Sequence, residues 1–181
     1  MKKDVKMLVE EMQFMYGYDQ TMREYISYKT FDKSETDSIE SLSESLRERE
    51  ILKRQFESDN FKNYIWINYI NPKDAEHTER MIEIIRKYGF PTIDRIKRYY
   101  KNDFVDSEFN PLIILIHSPR KYWAELKEIV YKEHTSGRIN QCEYGYLLWQ
   151  FTGRESFQPM LENGYEMVRE NGNITLKSTC K

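Results

Sequence analysis

The stretch Asn71–Pro91, NPKDAEHTERMIEIIRKYGFP, decides the fold class. It carries its own start and stop. Asn71 is a good N-cap residue, Pro72 follows where a missing N–H costs nothing, and Asp74 falls in a first turn whose dipole favours an anion. Met81, Ile82, Ile85 and Tyr88 recur at steps of three and four, which puts them on one buried stripe. Gly89 supplies the left-handed position that ends a helix, and Pro91 prevents its resumption.

The same punctuation repeats outward from this element. Thr92 caps a helix carrying Ile93, Ile96 and Tyr100. Asn110-Pro111 opens Leu112 to Ile116, a uniformly apolar run that periodicity alone leaves open between buried strand and buried helix; its flanking prolines favour helix. Ser118-Pro119 begins a helix with Tyr122, Trp123, Leu126, Ile129 and Val130 inward and Gly137 as its stop, and another helix runs from about Asn140 to Thr152, before Gly153. On the N-terminal side, Val5, Leu8, Val9, Met12 and Tyr16 mark a helix reaching Tyr28. Ser34 to Asp59 reads as one exposed amphipathic helix, with Ile39, Leu42, Leu46, Leu52 and Phe56 among charged residues and serines.

The tail differs. Asn171-Gly172 is the dipeptide of a type I′ turn, which needs positive φ at both positions. That turn would set Arg169 opposite Ile174 and Met167 opposite Leu176, leaving Tyr165, Met167, Ile174 and Leu176 on one face. The expected fold is therefore mainly α, a single compact domain over residues 1–181 with about six to eight helices and a small β-hairpin at 164–178.

Composition bounds the function classes. With 181 residues, 39% hydrophobic and 32% charged, the chain can bury a core, and its net charge of −2 creates no global field toward nucleic acid or anionic membranes. The longest apolar run has far fewer than the roughly 20 residues of a membrane span. Met1 to Glu11 contains no apolar segment of the secretory type, so a cytoplasmic location is expected. Cys142 and Cys180 have neither disulfide-framework nor zinc spacing and read as reduced thiols. No metal or cofactor is implied.

The glycines are scattered singly, so no phosphate-binding loop or nucleophile elbow is present. The candidate site residues are polar groups on or beside apolar helices. Asp19 and Arg23 stand at an i, i+4 spacing with Gln20 between them, either a helix-surface ion pair or one edge of a binding site. Asp74 and His77, at i, i+3, could orient an imidazole for acid–base work, although dipole and capping roles also account for Asp74. His117 ends the apolar run at the mouth of the core, where a titratable group is either a structural histidine or a site residue. Arg95, Lys97, Arg98 and Lys101 surround Tyr99 and Tyr100, a mixture that suits nucleic acid and equally a solvated helix face. Trp66, Trp123 and Trp149 read as core.

These residues resemble an uncharacterised bacterial family known as domain of unknown function 6624. The likeness covers most of the chain. It rests on Asp19, Gln20 and Arg23, on Asp74 and His77 ahead of Ile84-Ile85-Arg86-Lys87-Tyr88-Gly89-Phe90-Pro91, and on Leu115-Ile116-His117. The chain departs from that pattern at Ser118-Pro119, at Trp149-Gln150 and at Phe157-Gln158-Pro159-Met160, where Gln158 is a further binding candidate. The resemblance implies a shared fold and brings no activity with it. The leading expectation is a non-enzymatic protein-binding module, for example an immunity- or antitoxin-like protein with a protein partner. The alternative is a small hydrolase or nuclease-like enzyme using His117 with Asp74, His77 or Asp19 and Arg23 in a polar cleft, and a third reading is an RNA-binding accessory protein acting through Arg95 to Lys101.

Overall fold

The computed structural model describes residues 2–100, 106, 108–170 and 173–180. Helix α1 (Lys2–Tyr28) buries Val9, Met12, Met15 and Ile26, while Val5, Leu8 and Tyr16 of the expected stripe are half-buried. A single helix over 34–59 does not form. Instead α2 (Lys33–Glu40), capped by the Asp32 carboxylate, stops before α3 (Glu44–Lys53). The break has a local cause: the Ser38 and Ser41 hydroxyls donate to the carbonyls of Ser34 and Ser38, and serines that compete for backbone groups in this way weaken a helix interior. Helix α3 buries none of its residues, and Leu46 and Leu52 stay exposed.

A second correction concerns the element that defines the fold. Asn71 does not cap a new helix. Helix α4 (Asp59–Ile65) runs through a π-helical turn, Trp66–Ile70, straight into α5 (Asn71–Tyr88). The Asn71 N–H donates to the Trp66 carbonyl, five residues back. Pro72 has no N–H to offer the ladder, and the wider turn ahead of it takes up the mismatch within a continuous helix. The far end is as expected: Gly89 has φ +76°, and a Cβ there would lie 2.6 Å from Arg138 Nε. Ile82, Ile84, Ile85 and Met81 are buried, whereas Tyr88 is exposed.

Thr92 caps α6 (Ile93–Tyr99) by accepting from the Arg95 N–H. The apolar run forms a helix, α7 (Leu112–Ile116). A 3-10 turn, Arg120–Tyr122, leads into α8 (Trp123–Thr135), and α9 (Gln141–Phe151) starts from a reciprocal capping box between Asn140 and Glu143. Helix α7 packs against α1, α5 and α9, with Leu112, Ile114, Leu115 and Ile116 all buried. A helix covered on several sides has no use for a polar face, which explains its uniform composition. The main core joins these residues to Val9, Met12, Met81, Leu126, Val130, Leu147 and Phe151; a smaller cluster gathers Ile26, Ile65 and Ile70 near the π turn.

After the short α10 (Gln158–Leu161), β1 (Tyr165–Glu170) pairs antiparallel with β2 (Asn173–Ser178). The register is the expected one, Arg169 facing Ile174 and Met167 facing Leu176. The turn residues Asn171 and Gly172 lie outside the described residues. The shared face is formed but only partly covered: Met167 and Ile174 are 56% and 64% exposed, while Tyr165 and Leu176 are half-buried. The cysteines are the third correction: Cys142 in α9 and Cys180 after β2 form a disulfide across 38 residues of sequence. Gly164 brings them together, because the Thr179 N–H donates to its carbonyl and returns the hairpin's end to α9. Among the described residues no helix is long and apolar enough to cross a membrane.

Candidate functional site

Three separate elements deliver one polar cluster. Near its C-terminal end α1 presents Asp19, Gln20 and Arg23 over about one helical turn; α5 contributes Asp74 from its first turn; and α7 ends at His117. The tight end of α7 aims the histidine. The His117 N–H donates to the Ile113 carbonyl, so the residue sits at the C-cap with φ −88° and ψ 7° while the buried Leu112, Ile114, Leu115 and Ile116 anchor the helix in the core.

Asp19 is the hub, and only 4% of it is exposed. Its carboxylate accepts from Arg23, from Gln20 Nε2 at 2.6 Å and from His117 Nδ1, which lies 2.8 and 2.9 Å from the two oxygens. Arg23 extends a second N–H to Asp74 at 2.8 Å. One guanidinium thus serves two carboxylates, and the indole of Trp66 lies 5.4 Å from it in cation–π geometry. Because an ionised carboxylate only accepts, Nδ1 carries the ring proton, and in the neutral imidazole Nε2 keeps its lone pair.

Electrostatics around the hub is uneven. Burial holds the Asp74 carboxyl above its ordinary range, with Arg23 pulling the other way. Burial also lowers His77, whose ring lies edge-on to Tyr18 at 5.8 Å. The expected Asp74–His77 pair is not formed, because Asp74 turns to Arg23 instead. Gln20 and Arg23 lead from the cluster into an open groove of about 470 Å³, whose other walls include Tyr16, Glu24, Tyr28 and Lys33. Among the described residues no three His, Cys, Asp or Glu side chains gather in a way that would hold a metal ion.

The remaining candidates lie elsewhere. Gln158 Nε2 donates to Glu162 at the end of α10, and among the described residues it makes no hydrogen bond to any member of the cluster. Arg95 is turned inward, donating to the carbonyls of Phe90 and Tyr88 at 2.6 and 2.7 Å, where it closes the end of α5. Lys97 and Arg98 are exposed on α6, and Lys101 lies outside the described residues. Two participants escape the sequence reading. Trp66 reads as core yet covers Arg23, and Thr78, a helix residue without obvious role, anchors its hydroxyl on the Asp74 carbonyl at 2.6 Å. The aromatic–Asn-rich composition just before Asn71 is the signal that could have pointed to Trp66.

The chain matches no protein-family model, no curated protein and no solved structure.

Proposed function

We propose that the chain is a small acid–base enzyme of the hydrolase class, with His117 as the general base and Asp19 as the residue that orients it. The observation that carries this reading is the buried Asp19 carboxylate holding His117 Nδ1 at 2.8 Å. A carboxylate so placed fixes the tautomer and stabilises the imidazolium once Nε2 has taken a proton. In the simplest step, Nε2 removes a proton from water as the oxygen attacks an electrophilic carbonyl or phosphoryl centre, then returns it to the leaving oxygen. Arg23 is a positioning residue that holds Asp19, and Gln20 stands between the dyad and the groove.

The test is hydrolysis of chromogenic carboxyl esters, phosphomonoesters and phosphodiesters by the full chain. Loss of general-base assistance costs about 10²–10⁴-fold, so His117→Gln should lower turnover by that factor, and Asp19→Asn should lower it and move the pH profile. Turnover that His117→Gln leaves unchanged defeats the assignment, as does inertness of the wild type toward all three classes.

A second reading, a non-enzymatic module with a protein partner, draws on the exposed part of the hairpin's apolar face, Met167 and Ile174. Both outer strand edges are also unpaired among the described residues, which suits strand addition by a partner. Affinity capture that retains no protein on wild type removes this reading, and a protein held equally by Met167→Glu/Ile174→Glu removes the hairpin face as its surface.

A further inference from the structure

The segment Asn60–Lys73, NFKNYIWINYINPK, is unlike the rest of the chain. In a protein with 30 acidic residues it contains none, yet it has two lysines, four asparagines and four aromatic rings. Folded, it forms α4 and the π turn, and its rings continue a row that begins in the preceding elements. Phe31 stacks on Tyr25 at 4.2 Å, Tyr25 meets Phe56 at 5.8 Å, Phe56 meets Phe61 at 5.7 Å, Phe61 stacks near Tyr64 at 6.2 Å, and Tyr64 reaches Tyr69 at 6.0 Å. Phe31, Phe61, Tyr64 and Tyr69 are each between 46% and 64% exposed. The π turn is what completes the row: residues five apart diverge by about 140° around an α-helix, and the wider turn brings Tyr69 back toward Tyr64.

The exposed rings call for planar partners, and the charge selects among them. Lys29, 5.4 Å from the Phe56 ring, and Lys62 are exposed, and among the described residues neither is in an ion pair. Neutral sugar rings would stack but gain nothing from these cations, and a dry protein interface would leave them unmatched. A polyanion carrying flat rings matches both features. We propose that this face binds single-stranded nucleic acid, with bases stacked on Phe31, Phe61, Tyr64 and Tyr69 and phosphates held by Lys29 and Lys62. This surface stands independently of the catalytic reading, since neither needs the other to be correct.

The test is fluorescence anisotropy of 5′-labelled 12-nucleotide oligo(U) and oligo(dT) with the full chain at 50–200 mM salt. Single strands are expected to bind better than a duplex of equal length. Phe61→Ala and Tyr64→Ala should each weaken binding between about fivefold and a hundredfold, the range for one stacked base. Lys62→Ala should lower the salt slope by about 0.7, one phosphate contact. All three positions are exposed, and circular dichroism checks that the variants stay helical. No oligonucleotide binding at 50 mM salt overturns the proposal. So does binding that Tyr64→Ala and Phe61→Ala leave intact, a preference for duplex, or quenching of the Tyr and Trp emission by a neutral hexasaccharide but not by oligo(U).

Discussion

His77 shows how a single buried group leaves a signature that can be measured. Its ring is lowered from the ordinary value of 6.5 by burial. The unfolded chain therefore binds a proton near pH 6.5 that the folded chain refuses, and linkage fixes the sign: the contribution to stability is whole above 6.5 and is lost as the pH falls toward the lowered folded value. Asp74, raised by burial, acts with the opposite sign, its contribution being lost as the pH rises through its folded value. Thermal melts between pH 7 and pH 5 should fall less steeply for His77→Gln than for wild type, and parallel slopes would contradict the assignment. Arg23 offers a sharper case. Removing one partner from a buried ionic group typically costs about 3–5 kcal/mol, and Arg23→Met would leave Asp19 and Asp74 without their shared cation. Adding Asp74→Asn should recover part of that loss in denaturant titrations, whereas strict additivity would show that the three groups do not act together.

At the scale of elements, α7 matters most for its size. Five residues carry no helix on propensity alone, so its conformation depends on packing against α1, α5 and α9. Leu115 is wholly buried, and truncating such a side chain costs about 2–5 kcal/mol. Leu115→Ala should lower stability by that amount and, because α7 aims His117, should reduce any His117-dependent turnover more than an equally destabilising change in α8, such as Val130→Ala. Equal losses would mean that α7 is only core. Pro72 illustrates the opposite relation between residue and element. The pattern Asn-Pro reads as a start because proline is favoured at first helical turns, but the π turn lets the chain keep proline inside a helix. No local signal separates the two outcomes; what differs is whether the preceding segment is itself helical and packed, as Ile65 and Ile70 are.

Across the whole molecule, the disulfide connects chemistry to compartment. Bridges persist in oxidising surroundings, while the cytoplasmic expectation calls for thiols. The outer half of the hairpin it fastens is exposed, at Met167 and Ile174, so its hold on the body depends heavily on that bond and the Thr179–Gly164 hydrogen bond. Reductant should therefore release 165–178 as a local unit, with tryptic cleavage at Arg169 and Lys177 at least about tenfold faster and the helical body still protected. Unchanged cleavage would show that strand packing alone suffices. What the sequence determined by itself lies among near neighbours: the helical class, Gly89 and Thr92 as stop and start, the spacing that lets Asp19 and Arg23 pair, and the hairpin register. These follow from backbone geometry and side-chain spacing within a few residues. Only the tertiary structure decided that His117, 98 residues from Asp19, closes on it, that Arg23 reaches Asp74 across 51, and that Cys142 finds Cys180. Contacts at such separations are set by how α1, α5, α7 and α9 pack around one apolar core, and periodicity says which face of a helix is buried without saying what lies against it.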